Sequence, residues 1–285
     1  MMRNLFIGVV FIAAWSCSAH AINIMAINTE WLWTPYDHNV DGARYNKGDM
    51  TVQNYKAELK FYASLVKQHK IQVLAVSEIE NESVAINLAN AFGSEWRAYF
   101  KQGRDTATGQ DVAIISNLEP VKGSLTDFGF PRGQLPNSLG KKKRLSKVVG
   151  VQFWNDTHQK RTKIGVITSH FLSKRNENKK KFKNRHRQAY ALLKAIDLFI
   201  EDSDALIVLG DFNDFIDSNV LKTLMIKNQL HSAEMMSFRM QNILPDKKAL
   251  KRIDHILFRN LNLKRFEIIN LKKYSDHDAV FAQFY

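Results

Sequence analysis

Six short polar clusters punctuate this sequence, each at the end of an apolar run or at the start of the next one. They are Asn28, Ser77-Glu78, Ser169-His170, Gly210-Asp211-Phe212-Asn213-Asp214, Ile253-Asp254-His255 and Ser275-Asp276-His277-Asp278. Carboxylate and amide oxygens are the donors that a hard divalent cation takes. Histidine is the side chain suited to moving a proton near neutral pH. Together they could hold a hard cation through oxygen and leave two histidines for proton transfer. Singly, each cluster is bland: GDFND suits an ordinary turn, Asp-His suits a strand cap, and a strand-terminal Glu is usually solvated. Their joint order and spacing carry the reading.

The elements that must position them follow from hydrophobic periodicity. Strands are predicted over Ile22–Asn28, Ile71–Val76, Arg97–Lys101, Val112–Ser116, Val148–Trp154, Lys163–Ser169 and Ala205–Leu209, then near Ile253–Phe258, Arg265–Asn270 and Ala279–Phe284. Helices are predicted from Thr51 or Asn54 to His69, over Glu82–Phe92 behind an Asn81 cap, over Asn184–Glu201, and from Asp217 or Ser218. Glu30–Asp49 reads as an aromatic, turn-rich loop. Early strand–helix alternation gives way to strand-rich stretches, which points to two packed sheets with helices outside rather than one doubly wound sheet. Strand ends place side chains at a sheet's rim, where residues distant in sequence can meet.

The set Asn28, Ser77-Glu78-Ile79, Ser169-His170-Phe171, Gly210-Asp211-Phe212-Asn213, Ile253-Asp254-His255-Ile256 and Ser275-Asp276-His277 resembles the endonuclease/exonuclease/phosphatase superfamily, which includes the DNase I-like nucleases. The resemblance runs from Asn28 to His277 and is specific in its combination of GDxN and terminal SDH. It implies an α/β (α+β) fold, a four-layer α/β/β/α sandwich of two packed mixed β-sheets flanked by helices. It implies metal binding by Glu78 and Asn28, with Asp276 close to the metal. Asp211 and Asn213 match the pair that orients water and holds a phosphate oxygen. His277 matches the general base and Asp254 the carboxylate that orients it. His170 matches a histidine that stabilises the transition state or serves as general acid. The implied cofactor is Mg²⁺, with Mn²⁺ or Ca²⁺ as alternatives. Three positions depart from the pattern. Ser77 stands where many members have Gln, and Ile27 where Trp is frequent. Asp111 stands where relatives often have Gly, and either orients His170 or ends a loop.

The N-terminus reads as a secretory leader over residues 1–21. Arg3 is the positive n-region, Leu5 to Trp15 is a short apolar run, and Ala19-His20-Ala21 is a small-x-small cleavage pattern. That run is too short to span a bilayer, which takes about 20 residues. The expected destination is periplasmic or secreted. Cys17 raises lipoprotein cleavage, which Trp15 beside Ser16 fits poorly. Cys17 is also the one cysteine of the 285-residue chain, so residues 22–285, read as a single catalytic domain, must rest on a packed core without disulfides.

A formal net charge of +13 points to a polyanionic partner. Much of it lies in Lys141–Lys147 (KKKRLSK) and Lys174–Arg187 (KRNENKKKFKNRHR). Lys141, Lys142, Lys143, Arg144, Lys174 and Arg175 are therefore read as contacts to substrate phosphates, and nucleic acid as the expected substrate. Trp31, Trp33 and Tyr36 either stack on bases or pack a long loop. A sphingomyelinase-like phospholipid phosphodiesterase is the alternative, with anionic lipid as partner. Met235-Met236-Ser237-Phe238 is its nearest approach to a membrane wedge. A non-catalytic polyanion binder on the same scaffold is a third reading. Inositol phosphates fit an exported protein poorly. No stable protein partner is implied, and a monomer is expected.

Overall fold

The apolar run at Ile22 is buried on both faces, and that fixes its place in the middle of the molecule. The computed structural model describes residues 21–35, 50–104, 110–126, 128–136, 141–156 and 161–285; Cys17, Tyr36 and the leader up to residue 20 lie outside them. The first strand, β1, spans Ile22–Leu32. Side chains alternate along a strand, so Ile22, Ile24 and Ala26 enter one core while Met25 and Ile27 enter another.

β1 runs parallel to β2 (Val73–Ile79) and antiparallel to β13 (Asp278–Phe284). β12 (Leu263–Asn270) flanks β13, and β4 (Asp111–Ser116) followed by β3 (Arg97–Phe100) flanks β2, which completes a six-stranded mixed sheet. A second mixed sheet has five strands. In spatial order they are β10 (His231–Ser232), β11 (Asp254–Arg259), β9 (Ala205–Asp211), β8 (Arg161–Ser169) and β7 (Val148–Asp156). Only β8 and β9 pair in parallel there.

The facing sides of the sheets enclose a core that includes Ile24, Ala75, Ile114, Val151, Val166, Ile207, Leu209 and Val280. Helices α1 (Val52–Gln68) and α2 (Glu82–Phe92) cover the first sheet, packing Tyr62, Leu65 and Leu88 on Leu74 and Val76. Helices α3 (Lys179–Ile200) and α4 (Asn219–Asn228) cover the second, with Leu192, Ile196 and Leu224 on Ile167 and Val208. The expected α/β/β/α layering is therefore the observed one. Because both faces of each central strand are buried, those strands read as continuous apolar runs. Caps set the helix starts: Thr51, Asn81 and Ser218 each accept a backbone N–H from three residues on, worth about 1 kcal/mol apiece.

Several elements differ from expectation. β1 continues through Leu32 where a loop was expected from Glu30. α3 begins at Lys179, behind an Asn178 cap that accepts from Lys180 and Lys181 N–H, rather than at Asn184. The ribbon of β5 (Arg132–Gln134) and β6 (Lys142–Arg144), the short β10, and helices α5 (Ala233–Met240) and α6 (Lys247–Leu250) have no counterpart in the periodicity.

One buried carboxylate braces α3 to the loop after β9. Asp214 accepts from Lys174 Nζ at 2.8 Å and from Arg185 Nε at 3.1 Å, and its carbonyl lies 3.0 Å from His255 Nε2. Arg185 is wholly buried and lies 2.8 Å from Glu177 as well. Removing one partner of a buried ion pair strands the other charge, which costs about 3–5 kcal/mol. Asp214→Ala is expected to lower unfolding free energy by about that amount in urea titrations. A loss within experimental error would show that Arg185 is satisfied without it.

Candidate active site

The clusters meet where the two sheets' strand ends converge. Asn28 lies on β1 and Glu78 on β2, Ser169 ends β8, Asp211 ends β9, Asp254 opens β11 and His277 immediately precedes β13. Backbone strain accompanies this convergence. Glu78 has φ 63° and Asn213 φ 50°, a region costly for residues with a Cβ and concentrated at functional sites. At Glu78 the ladder breaks on both sides: β1–β2 shifts register between Asn28 and Leu32, and β2–β4 between Ser77 and Ile79. Such bulges re-aim a side chain, and here the side chain re-aimed is a carboxylate. Gly210 has φ 131°, and a Cβ there would fall 2.4 Å from the Ser169 carbonyl oxygen. Only glycine lets β9 approach the end of β8 this closely.

Hydrogen bonds then join the two halves. Asn28 Nδ2 donates to Glu78 Oε1 at 3.0 Å and to Asp211 Oδ2 at 3.1 Å, while its Oδ1 accepts from Glu30 N at 2.9 Å. Asn28 thus holds the carboxylates through its nitrogen. Asn213 N donates to Asp211 Oδ1 at 2.8 Å, and Asn213 Nδ2 donates to Asp211 Oδ2 and the Phe171 carbonyl, both at 3.1 Å. Its Oδ1 accepts from Lys174 N. With every amide group engaged, Asn213 braces Asp211. Across the cleft, His277 Nδ1 stands 2.6 Å from Asp254 Oδ2. Ser275 Oγ donates to the Asn28 carbonyl at 2.8 Å and accepts from His277 N at 3.0 Å, which ties the SDH turn to β1.

The two histidines are driven in opposite directions. Burial would lower His277, but the hydrogen bond and charge of Asp254, helped by Asp211 and Asp276, outweigh it and carry the imidazole to about 10. His170 is buried without a carboxylate bound to its ring, and burial, reinforced by Lys147 and His277, holds it well below the usual range. Its Nε2 lies 3.7 Å from Glu78 Oε1 and 3.5 Å from Asp211 Oδ2, and its Nδ1 has no hydrogen-bond partner. Burial raises Glu78, opposed by the Asn28 hydrogen bond, His277 and Lys147. Burial and the neighbouring Asp254 charge raise Asp211. Separated environments that push titratable groups apart are a hallmark of acid–base sites.

Glu78, His170 and Asp211 each bring one ligand atom to within 4.8 Å of the others, and so do Asp211, Asp254 and His277. Either group can hold a cation. Asp276 belongs to neither: its side chain is exposed, with Oδ1 3.8 Å from His277 Nε2. Asp111 closes a loop, accepting from Gln102 Nε2 and Gly103 N at 2.6 and 2.9 Å. It does not hydrogen-bond His170.

The cleft beside these groups holds about 820 Å³. Of the basic residues read from the sequence, Lys143, Arg144, Lys174 and Arg175 line it, whereas Lys141 and Lys142 do not. Lys174 is already paired with Asp214, and its Nζ lies 4.3 Å from the Phe215 ring centroid. Lys147 and Arg104 also line the cleft and were not singled out in the sequence. Lys147 could have been found as the residue just before β7, since Val148 pairs with Ser169 and so shares the rim. Arg104 gives no such signal. Trp31 lines the cleft, while Trp33, with its ring 5.5 Å away, is buried and packs the loop.

Solved structures share this fold. An endonuclease/exonuclease/phosphatase from Bacteroides vulgatus superposes with TM-score 0.62 at 13% identity, over 93% of this chain and 98% of that one. The catalytic domain of human Nocturnin, with a bound sulfate anion, gives 0.61 at 15%, over 93% and 94%. A Bacteroides thetaiotaomicron mannosyl-6-phosphatase gives 0.56 at 13%, over 93% and 99%. At such identities the likeness concerns the fold. No curated protein matches the chain. The model of the Endonuclease/Exonuclease/phosphatase family matches residues 38–277. A match over that much of the sequence, on this fold, means that the chain belongs to the endonuclease/exonuclease/phosphatase family, whose members are in general phosphoester hydrolases.

Proposed function

We propose that the chain is an exported, divalent-cation-dependent phosphodiesterase that cleaves nucleic-acid strands with water as nucleophile. One observation carries the reading: His277, backed by Asp254, and the Glu78 and Asp211 carboxylates border one cleft whose wall is cationic, with Arg144, Lys147 and Arg175. Export rests on the leader read at residues 1–21. One scaffold hosts many phosphoester substrates, so the choice among them comes from the site rather than the fold.

The residues fit a hard cation. Asp211 is buried and Glu78 half-buried, burial raises both, and they supply the oxygen donors such an ion prefers. Mg²⁺ is the first choice, with Mn²⁺ as the alternative. Bound there, a divalent cation neutralises charge developing on the phosphate. The protein's own groups do the rest. Asp254 fixes the His277 ring through Nδ1, and in the neutral form of the ring Nε2 is the atom that takes the proton from water. Asn28 and Asn213 hold Asp211 in place. His170, kept neutral by burial, donates a hydrogen bond through Nε2–H rather than serving as a proton source. Lys147, Arg144 and Arg175 draw the anionic strand into the cleft.

A lipid substrate is the second reading. Met235, Met236 and Phe238 are half-buried on α5, so they form no wedge. Met240, Ile243 and Leu244 just beyond them are exposed, Leu244 by 90%, and Lys248 of the following helix reaches Asp278 beside His277. A panel of duplex DNA, single-stranded DNA, RNA, sphingomyelin vesicles and bis(p-nitrophenyl) phosphate, each with Mg²⁺, Mn²⁺, Ca²⁺ or EDTA, separates the two. Cation-dependent cleavage of nucleic acid is expected. Turnover of sphingomyelin alone would transfer the assignment to the lipid.

His277→Ala is expected to lower kcat/KM by about 10²–10⁴-fold with the fold intact by circular dichroism; wild-type turnover would remove the proposed base. Asp254→Asn deletes the hydrogen bond and charge that raise His277. The acid limb of the kcat/KM profile should therefore move to lower pH, and a limb that stays in place would detach Asp254 from that titration. Thermal melting tests the cation site without turnover. Glu78 and Asp211 are raised in the folded state, so they destabilise it as pH rises through their folded values and they ionise. Mg²⁺ or Mn²⁺ should raise Tm, more so at higher pH, by about 2.7 kcal/mol of stabilisation at 100-fold excess over Kd. Glu78→Gln should lose most of that shift, and an equal shift in both proteins would place the ion elsewhere.

A further inference from the structure

Three arginines outside the catalytic group border one small cavity together with Phe130. Arg132 and Arg144 are directly paired across the β5–β6 ribbon, and like charges placed opposite each other on two strands are destabilising. Arg104 comes from a different segment, with its guanidinium carbon 5.3 Å from the centroid of Phe130. Among the described residues none of the three has a carboxylate within ion-pair reach, although the chain uses Asp or Glu to neutralise Arg161, Arg185, Arg252 and Arg265 elsewhere. The turn leading into β5 is itself costly: Phe130, a bulky residue, has φ 54° directly after Gly129 at 57°. Strain of that kind persists where surrounding structure holds it for a purpose. Gly133 on β5 fastens the ribbon down, since a Cβ there would fall 1.9 Å from the Arg187 carbonyl oxygen on α3. The arginines are thus presented from an anchored ribbon.

A cavity of about 390 Å³ lies among them, bounded by Arg104, Phe130, Pro131, Arg132 and Arg144. Arg104 and Arg144 also border the catalytic cleft, so the two spaces share a wall. Desolvation, and after it the charges of Arg104 and Arg132, lowers the affinity of Arg144 for its proton. An anion that neutralised three guanidinium groups at once would relieve their mutual repulsion, and a phosphate presents the oxygens that guanidinium forks bind in pairs.

We propose that Arg104, Arg132 and Arg144 form a second phosphate subsite, adjoining the catalytic cleft, that grips a neighbouring backbone phosphate of the strand being cut. This rests on the nucleic-acid reading and deepens it. A phospholipid with a single phosphodiester has no second phosphate to offer, whereas a polynucleotide has one at every step. Arg132 borders the side cavity and not the catalytic cleft, which makes it the residue that isolates the subsite.

The test is binding of a short fluorescein-labelled oligothymidylate to the full chain in EDTA, where no turnover occurs, across a salt series. Each phosphate contact on a single strand contributes about 0.7 to the slope of log K against log salt. Arg132→Gln should lower the slope by about that amount, while Arg132→Lys, which keeps the charge, should retain it. Lys264→Gln removes one exposed charge from β12 and should leave the slope at the wild-type value. An unchanged slope in Arg132→Gln overturns the subsite, and so does an equal fall in Lys264→Gln, which would report net charge alone. Arg132-dependent binding without cleavage in Mg²⁺ would sink the nuclease reading and leave the subsite standing. Cleavage with Arg132-independent binding would do the reverse.

Discussion

One amide couples the two sheets at the point where chemistry is expected. Asn28 Nδ2 reaches Glu78 from the first sheet and Asp211 from the second. Asp211 is buried, Glu78 is half-buried, and the two repel each other, so a donor between them eases their approach. The Asn28 side chain is itself fixed, because Glu30 N takes its oxygen. Its backbone carbonyl anchors Ser275, which holds the turn carrying His277. A single residue near the end of β1 therefore sets the distance between ligand carboxylates and base. The sandwich exists to bring those strand ends together, and the sheet-to-sheet core is what keeps them there.

The same convergence produces the contrast between the histidines. His277 is partly exposed and faces three carboxylates, so its proton is held tightly. His170 sits deeper, near Lys147, and its ring nitrogen Nδ1 finds no acceptor. Charge on His277 follows from the Asp254 hydrogen bond that outweighs its burial, and neutrality on His170 follows chiefly from burial, with Lys147 and His277 adding to it. Asp211 stands between them. Any change in its charge alters the cost of a proton on His277, which makes the occupancy of the carboxylate pair and the readiness of the base a single coupled variable.

The fold and the inner site were legible because burial on both faces makes a strand a continuous apolar run, and a polar residue ending that run must lie at the rim. Asn28, Glu78, His170, Asp211 and Asp254 all announce themselves this way. What escaped has physical causes. The first turn of α3 is Lys179, Lys180 and Lys181, cations at the positive end of the helix dipole; its start depends on the Asn178 cap, not on periodicity. β5 and β6 are three residues each, and they exist because Gly133 lets the ribbon lie on the α3 backbone. The engagement of every Asn213 amide group was equally invisible, since its partners Phe171 and Lys174 are about forty residues away in sequence.

Charge runs were the least readable feature, because sequence shows how many cations there are and not which way they point. Within Lys174–Arg187, Arg185 is wholly buried against Asp214 and Glu177, and Lys174 shares Asp214. Those charges staple α3 to β9 and are spent inside the fold. Lys141–Lys147 divides differently: Lys143, Arg144 and Lys147 turn to the cleft while Lys141 and Lys142 stay outside its lining. A cation that already has a buried carboxylate partner gives little to a substrate, because the attraction is screened by the charge beside it. The cations that matter for recognition are those the fold leaves without an acid. By that criterion Arg132 and Arg144 of the ribbon, with Arg104 beside them, stay uncompensated where Lys174 and Arg185 do not. Around the cleft, Arg104 and Arg144 border both the catalytic space and the side cavity, so their charge acts on both.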